Sequence, residues 1–247
     1  MRLYYWLRHK WFTIQKKYLP SFDFKYAFRE LFLIVAGILI ALTINNWNDG
    51  RKQKANEIKM LKEIKTSLNN DLSDIQGNLQ ILTPMQLNKQ ILIDSEKTGY
   101  HDSLHQHLNS LIYDRVYLAI NRGSFESLKS VGLYLISNDS IRLKIVNLYE
   151  YTYKIQEKNE QEKDNHYLIK ANEFSYQVMK LHEEQQGQRE RYKRLFEETE
   201  FKVFLYQVYN FDRFKQNQYL FFERTLQALI AEIEAEIKRL ERGVGLF

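Results

Sequence analysis

His101, Asp102, His105 and His107 place three imidazoles and a carboxylate in one short stretch. If the stretch is helical, His101 and His105 are four residues apart and share a face, the spacing at which two imidazoles ligate one ion. Asp102 and His107 fall off that face, and no third ligand is evident nearby. A hydrated helix start after Gly99, with Asp102 favoured by the helix dipole, is the plainer reading. His101 and His105 are therefore weak metal candidates, and no metal or other cofactor is expected. Carboxylates are plentiful at Glu157, Glu160, Glu162 and Asp164, at Glu183 and Glu184, and at Glu197, Glu198 and Glu200. A di-iron bundle needs inward Glu-x-x-His pairs. His166 and His182 are preceded at that distance by Lys163 and Met179, so these acids read as solvated helix faces. The phosphate-loop, dinucleotide, nucleophile-elbow and H-E-x-x-H patterns are absent. There is no cysteine, which removes thiol catalysis, disulfides and Cys-held metals. The sequence thus names no catalytic residue, and a non-enzymatic protein is expected.

The elements that carry these residues read as long helices. Of 247 residues 44% are apolar and 14% aromatic, with only 9 Gly and 2 Pro. That composition argues against disorder and turn-rich sandwiches and for an all-α fold. Ile58, Leu61, Ile64, Leu68, Leu72, Ile75, Leu79 and Leu82 recur at spacings of three and four, predicting a helical stalk that ends at Pro84. Shorter helices follow near 85–95 and 101–118. Ser124 is a candidate N-cap for a helix over 125–130, and Gly132 its stop. Asn138, Asp139 or Ser140 would cap a long helix toward 184, and another spans 189–211. Tyr219, Phe222, Leu226, Ile230, Ile233, Ile237 and Leu240 give a heptad-like stripe on a last helix over about 212–242. This stripe either seals an intramolecular bundle against the stalk or pairs between chains. Most tyrosines and phenylalanines in 149–153, 201–211 and 219–222 are expected in the core.

Residues 31–48 contain no charge, and as a helix they are about 27 Å long, close to a hydrocarbon core of about 30 Å. A transmembrane helix over 26–48 is expected, with Arg29 snorkelling and Trp47 at the opposite interface. The formal charge of +5 is local. Seven Lys/Arg against Asp23 and Glu30 put the whole excess in residues 1–30, and the rest of the chain is neutral. That removes the reason to expect a nucleic-acid partner. Trp6, Trp11, Lys16, Lys17 and Lys25 instead suit an interfacial segment on anionic headgroups. Basic residues flank the span almost equally, four before it and five soon after. Orientation is set by cost: exporting the basic tail opposes the membrane potential, at about 2.3 kcal/mol per charge per 100 mV, whereas a long C-terminal domain translocates largely regardless of charge. The expectation is an N-terminus in the cytoplasm and a C-terminal domain in the periplasm. Asn45 and Asn48, three apart, share a face on which they would hydrogen-bond between helices.

Two stretches resemble a known family. One is Gly37-Ile38-Leu39-Ile40-Ala41-Leu42-Thr43-Ile44-Asn45-Asn46-Trp47-Asn48, followed by Arg51 and Lys52. The other is Ser124-Phe125-Glu126-Ser127-Leu128-Lys129-Ser130-Val131-Gly132, then Leu135-Ile136-Ser137-Asn138-Asp139. Together they are similar to a domain-of-unknown-function family of short single-pass membrane proteins from Gram-negative bacteria. The resemblance implies a bacterial inner-membrane location and an anchor-first layout, and it carries no catalytic residues.

The organisation expected is a basic aromatic interfacial segment (1–25), a transmembrane helix (26–48), a helical stalk (49–83) and a helical-bundle domain (84–247). The function expected is a membrane-anchored interaction or scaffold protein of the cell envelope, its partner another envelope protein or itself. A helical sensor input domain and, below it, a metal-dependent enzyme using His101 and His105 are the alternatives.

Overall fold

The computed structural model describes residues 24–99, 101, 103–179 and 188–245. Among them the secondary structure is all helical, and no strand occurs. The expected interface residues Trp6, Trp11, Lys16 and Lys17 lie outside the described residues.

Helix α1 spans Phe24–Thr98, α2 Leu104–Tyr113 and α3 Gly123–Val131. After a 3₁₀ turn at Leu133–Leu135, α4 (Asp139–Asn147) passes through a π-helical turn (Leu148–Thr152) into α5 (Tyr153–Met179). Helices α6 (Gln188–Glu197) and α7 (Thr199–Gly245) complete the order. By internal contacts the chain divides into residues 1–53 and 54–247.

The described part of the first unit is helical from Phe24 onward, with its large apolar side chains exposed, Leu31 to Ile44 and Trp47 among them. An 18-residue window within α1 has a mean hydropathy of 2.2 and none of it is buried, so the helix is long and apolar enough there to cross a membrane. Lys25 and Arg29 are exposed. Arg51 lies 5.1 Å from the centre of the Trp47 ring. The Asn45 amide donates to the Asp49 carboxylate one turn on, at 3.2 Å, so one of the two asparagines expected to bond between helices has a partner within its own helix. Asn48 is exposed.

The second unit buries two separate apolar clusters. The first joins α1 (Leu61, Ile64, Leu68, Ile75, Leu82), α3, α4 and the last two-thirds of α7. The heptad-like positions Leu226, Ile233, Ile237 and Leu240 are buried there, and Ile230 is half-buried against them. They are spent on packing within this chain. Phe125 stacks on Tyr149 at 4.6 Å, and Tyr153 meets Phe222 at 5.5 Å. The second cluster joins α2, the end of α5, α6 and the start of α7, around Phe174, Phe201 and Phe204.

Several boundaries differ from those the sequence suggested. Helix α1 does not stop at Pro84 but continues to Thr98 with the proline inside it. Proline forfeits one backbone hydrogen bond, and burial of Leu82, Met85 and Leu92 on either side offsets that loss. Met60 to Leu82, within the stretch 49–83 expected as a stalk, contribute directly to the first core. The last helix begins at Thr199, well before 212, because the break falls at Glu198. Ser124 does not cap α3; its hydroxyl donates to Ser67 Oγ at 2.8 Å, and no side chain caps that helix. Gly132 does end α3, at a φ of 106° that only glycine adopts readily. Asn138 caps α4 by accepting from the Ser140 and Ile141 backbone N–H groups.

Candidate functional site

The expected metal pair does not form a helical face. His101 precedes α2, which begins at Leu104, so it is not one turn from His105 on a common helix. His101 is exposed, with Nδ1 2.6 Å from Ser103 Oγ, and His107 Nδ1 lies 2.9 Å from Asn88 Oδ1. Among the described residues no group of three or more His, Asp or Glu side chains is placed to hold a metal ion.

The chemically dense region of the second unit lies around residues 114–122, away from the expected histidines. Residues 114–118, expected as the end of a helix, are not helical, and neither are 119–122. Val116 and Leu118 are buried, Ile120 is half-buried, and Tyr117, Ala119 and Asn121 are exposed, an alternation of period two. Such a segment without a neighbouring strand leaves backbone N–H and C=O groups to be satisfied by side chains. Helix α1 supplies three: Asn78 Nδ2 donates to the Tyr117 carbonyl at 2.8 Å, Asp74 accepts the Ala119 N–H at 3.1 Å, and Asp71 accepts the Asn121 N–H at 2.8 Å. Glu160 of α5 accepts the Leu118 N–H at 3.1 Å, and Lys215 of α7 donates to the Val116 carbonyl at 2.9 Å. Arg122 closes the segment on Glu157 and the Tyr149 carbonyl.

The helical spacing of these side chains explains the match. Two residues of extended chain advance about 6.7 Å, and four residues of helix about 6 Å. Asp71, Asp74 and Asn78 on α1, and Glu157, Glu160 and Asp164 on α5, stand three or four apart. Successive turns of α1 therefore meet Asn121, Ala119 and Tyr117, while α5 meets Leu118 and Arg122 and reaches Val116 through Lys215. Glu160 (4% exposed) and Asp164 (6%) are consequently buried, which corrects the reading of this acidic run as a solvated face.

Part of this charge is paired. Lys215 bonds Asp164 at 2.5 Å and lies 4.9 Å from the centre of the Phe211 ring. A second buried pair joins Lys89 of α1 to Asp212 of α7, with side-chain exposures of 1% and 7%. Burial pushes the Lys89 ammonium below the usual lysine range, and Asp212 pulls it back. Burial likewise raises Asp164 against the opposing effect of Lys215. Asp71 is pushed up to about 6 by burial, which outweighs the bonds from Asn121 N–H and the Tyr153 hydroxyl at 2.9 Å. Tyr149, Tyr153 and Tyr219 are raised for the same reason. A small cleft lined by Lys89, Arg115, Asp164, Asp212 and Lys215 opens at this level. Elsewhere Glu57 holds the turn after the 3₁₀ helix, accepting the Ser137 N–H at 2.7 Å and its hydroxyl at 2.8 Å.

Chemically, then, these ionisable groups hold backbone. Asp71 and Glu160 have both oxygens committed, Asp74 accepts from Asn78 and Ala119 on one oxygen, and Lys215 is engaged by both the Val116 carbonyl and Asp164. The signal that would have found the segment is Val116-Tyr117-Leu118-Ala119-Ile120 itself, whose alternation is strand-like, together with the polar residues at helical spacing on α1 and α5.

No curated protein and no solved structure matches the chain. A family of unknown function (DUF6090) matches residues 30–210, a stretch that takes in the apolar segment, the clamped segment and one partner of each buried ion pair, Lys89 and Asp164, and ends just short of Asp212 and Lys215 on α7. The chain belongs to that family.

Proposed function

We propose that the protein is a single-pass, N-terminally anchored protein of the bacterial inner membrane, and that its helical bundle works outside the cytoplasm as a non-catalytic interaction or scaffold module. The observation that carries the reading is the apolar stretch of α1, whose side chains are exposed to a degree that water disfavours and a bilayer does not. The basic aromatic residues 1–25 fit an interfacial collar on anionic headgroups, and the neutral remainder of the chain fits translocation to the periplasm. The non-catalytic part of the proposal draws on the polar interior, where Asp71, Asp74, Glu160 and Lys215 are engaged by backbone rather than poised for a substrate. The heptad-like stripe of α7 packs within the chain, so partners, a second copy included, would meet the outer faces of the bundle or the span.

Cross-linking in intact membranes, followed by identification of what is covalently joined to the chain, tests this. A discrete adduct with one envelope protein or with a second copy is expected. A chain recovered only as an uncross-linked monomer, under conditions that cross-link a known membrane dimer, would overturn the interaction reading.

A further inference from the structure

We propose that residues 114–122 form a latch that opens from α1, α5 and α7 as one unit while those helices stay folded. The segment is held differently from everything around it. Its neighbours α2 and α3 are helices whose hydrogen bonds are internal, and it begins and ends at their termini, Tyr113 and Gly123. Its own backbone is held by side chains of three different helices: Asn78, Asp74 and Asp71 of α1, Glu160 of α5, and Lys215 of α7. Side-chain bonds of this kind break without unwinding the helices that supply them. Several of the holding groups are also buried charges, whose desolvation is relieved when water enters. The apolar contribution to closure is small, limited to Val116, Leu118 and the half-buried Ile120, against more than twenty buried residues in the core beside it. A segment with few apolar contacts and separable hydrogen bonds belongs to the low-stability end of a fold. The latch also joins the two cores, since α2 packs in one and α3 in the other. The inference stands on the 54–247 unit alone and does not depend on membrane anchoring.

Asp71 gives the latch a pH dependence. The groups facing it are Asp74 on its own helix, the Asn121 N–H and Arg122 of the latch, Tyr149 of the π-helical turn and Tyr153 of α5. Its carboxyl sits at about 6 when the latch is closed. A carboxyl raised in the closed state binds its proton more tightly there, so closure strengthens as pH falls. With an open-state value near 3.9, the opening constant drops roughly tenfold between pH 7 and pH 5.

Native-state hydrogen exchange on the full chain in detergent micelles reads this directly, after correction for the chemical exchange rate. The amides of Leu118, Ala119 and Asn121 are expected to share one opening constant, larger by about a hundredfold or more than that of α7 amides near Leu226 and Ile233. Opening should fall at pH 5, and fall less in Asp71→Asn. Glu160→Ala, with helix content checked by circular dichroism, should raise exchange at all three amides together. Exchange of the three only through the same global unfolding as α7, or at three unrelated rates, would overturn the proposal. A pH-independent opening constant in the unsubstituted chain would overturn its pH-sensing part.

Discussion

Asp71 accepts a backbone N–H on one oxygen and the Tyr153 hydroxyl on the other, yet burial keeps its proton affinity high. A carboxyl at about 6 in the folded chain and near 3.9 unfolded stabilises the fold below the unfolded value. That contribution is lost as pH rises from about 4 through 6. Stability to denaturant should therefore decline across this window, and Asp71→Asn should flatten the decline. Two local substitutions carry simpler expectations. Gly132→Ala forces a Cβ onto a φ of 106° and should cost about 1–3 kcal/mol. Asn138→Ala removes the cap of α4 and should cost about 1 kcal/mol. The stop at Gly132 was legible in the sequence and the cap was narrowed to Asn138, Asp139 or Ser140, because a helix stop and a helix cap are decided within a few residues. Glu160 and Asp164 were not, since an acid alternating with lysines on a helix reads the same whether that face meets water or a buried strand-like segment.

At the scale of elements, the two buried ion pairs tie α1 to α7 and α5 to α7, beside the segment that all three helices hold. Taking away one partner strands the other charge in the interior. Lys89→Met alone should destabilise by about 3–5 kcal/mol, whereas Lys89→Met with Asp212→Leu should recover most of that loss. Chemical denaturation of the two variants side by side checks the difference. The long amphipathic helices could be read because their apolar spacing persists over many turns, as from Ile58 to Leu82 and from Tyr219 to Leu240. Their limits could not. Pro84 looks like an end until tertiary packing on both sides is known, and residues 114–122 lie between two helices with too short an alternation to outweigh them.

At the scale of the molecule, the chain combines an exposed apolar helical stretch with a 54–247 unit whose two cores are built from widely separated segments. The apolar stretch was fully legible, because an uncharged run of that length is a property of sequence alone. The division of the remainder into two cores was not, because it depends on which faces of α5 and α7 meet. Residues 31–48 are proposed to hold the protein in a bilayer, and alkaline carbonate extraction of membranes tests this most directly. The full chain should stay with the membrane pellet, and a Val35→Lys/Leu39→Lys variant should move to the supernatant. Release of the unsubstituted chain by carbonate would contradict the claim.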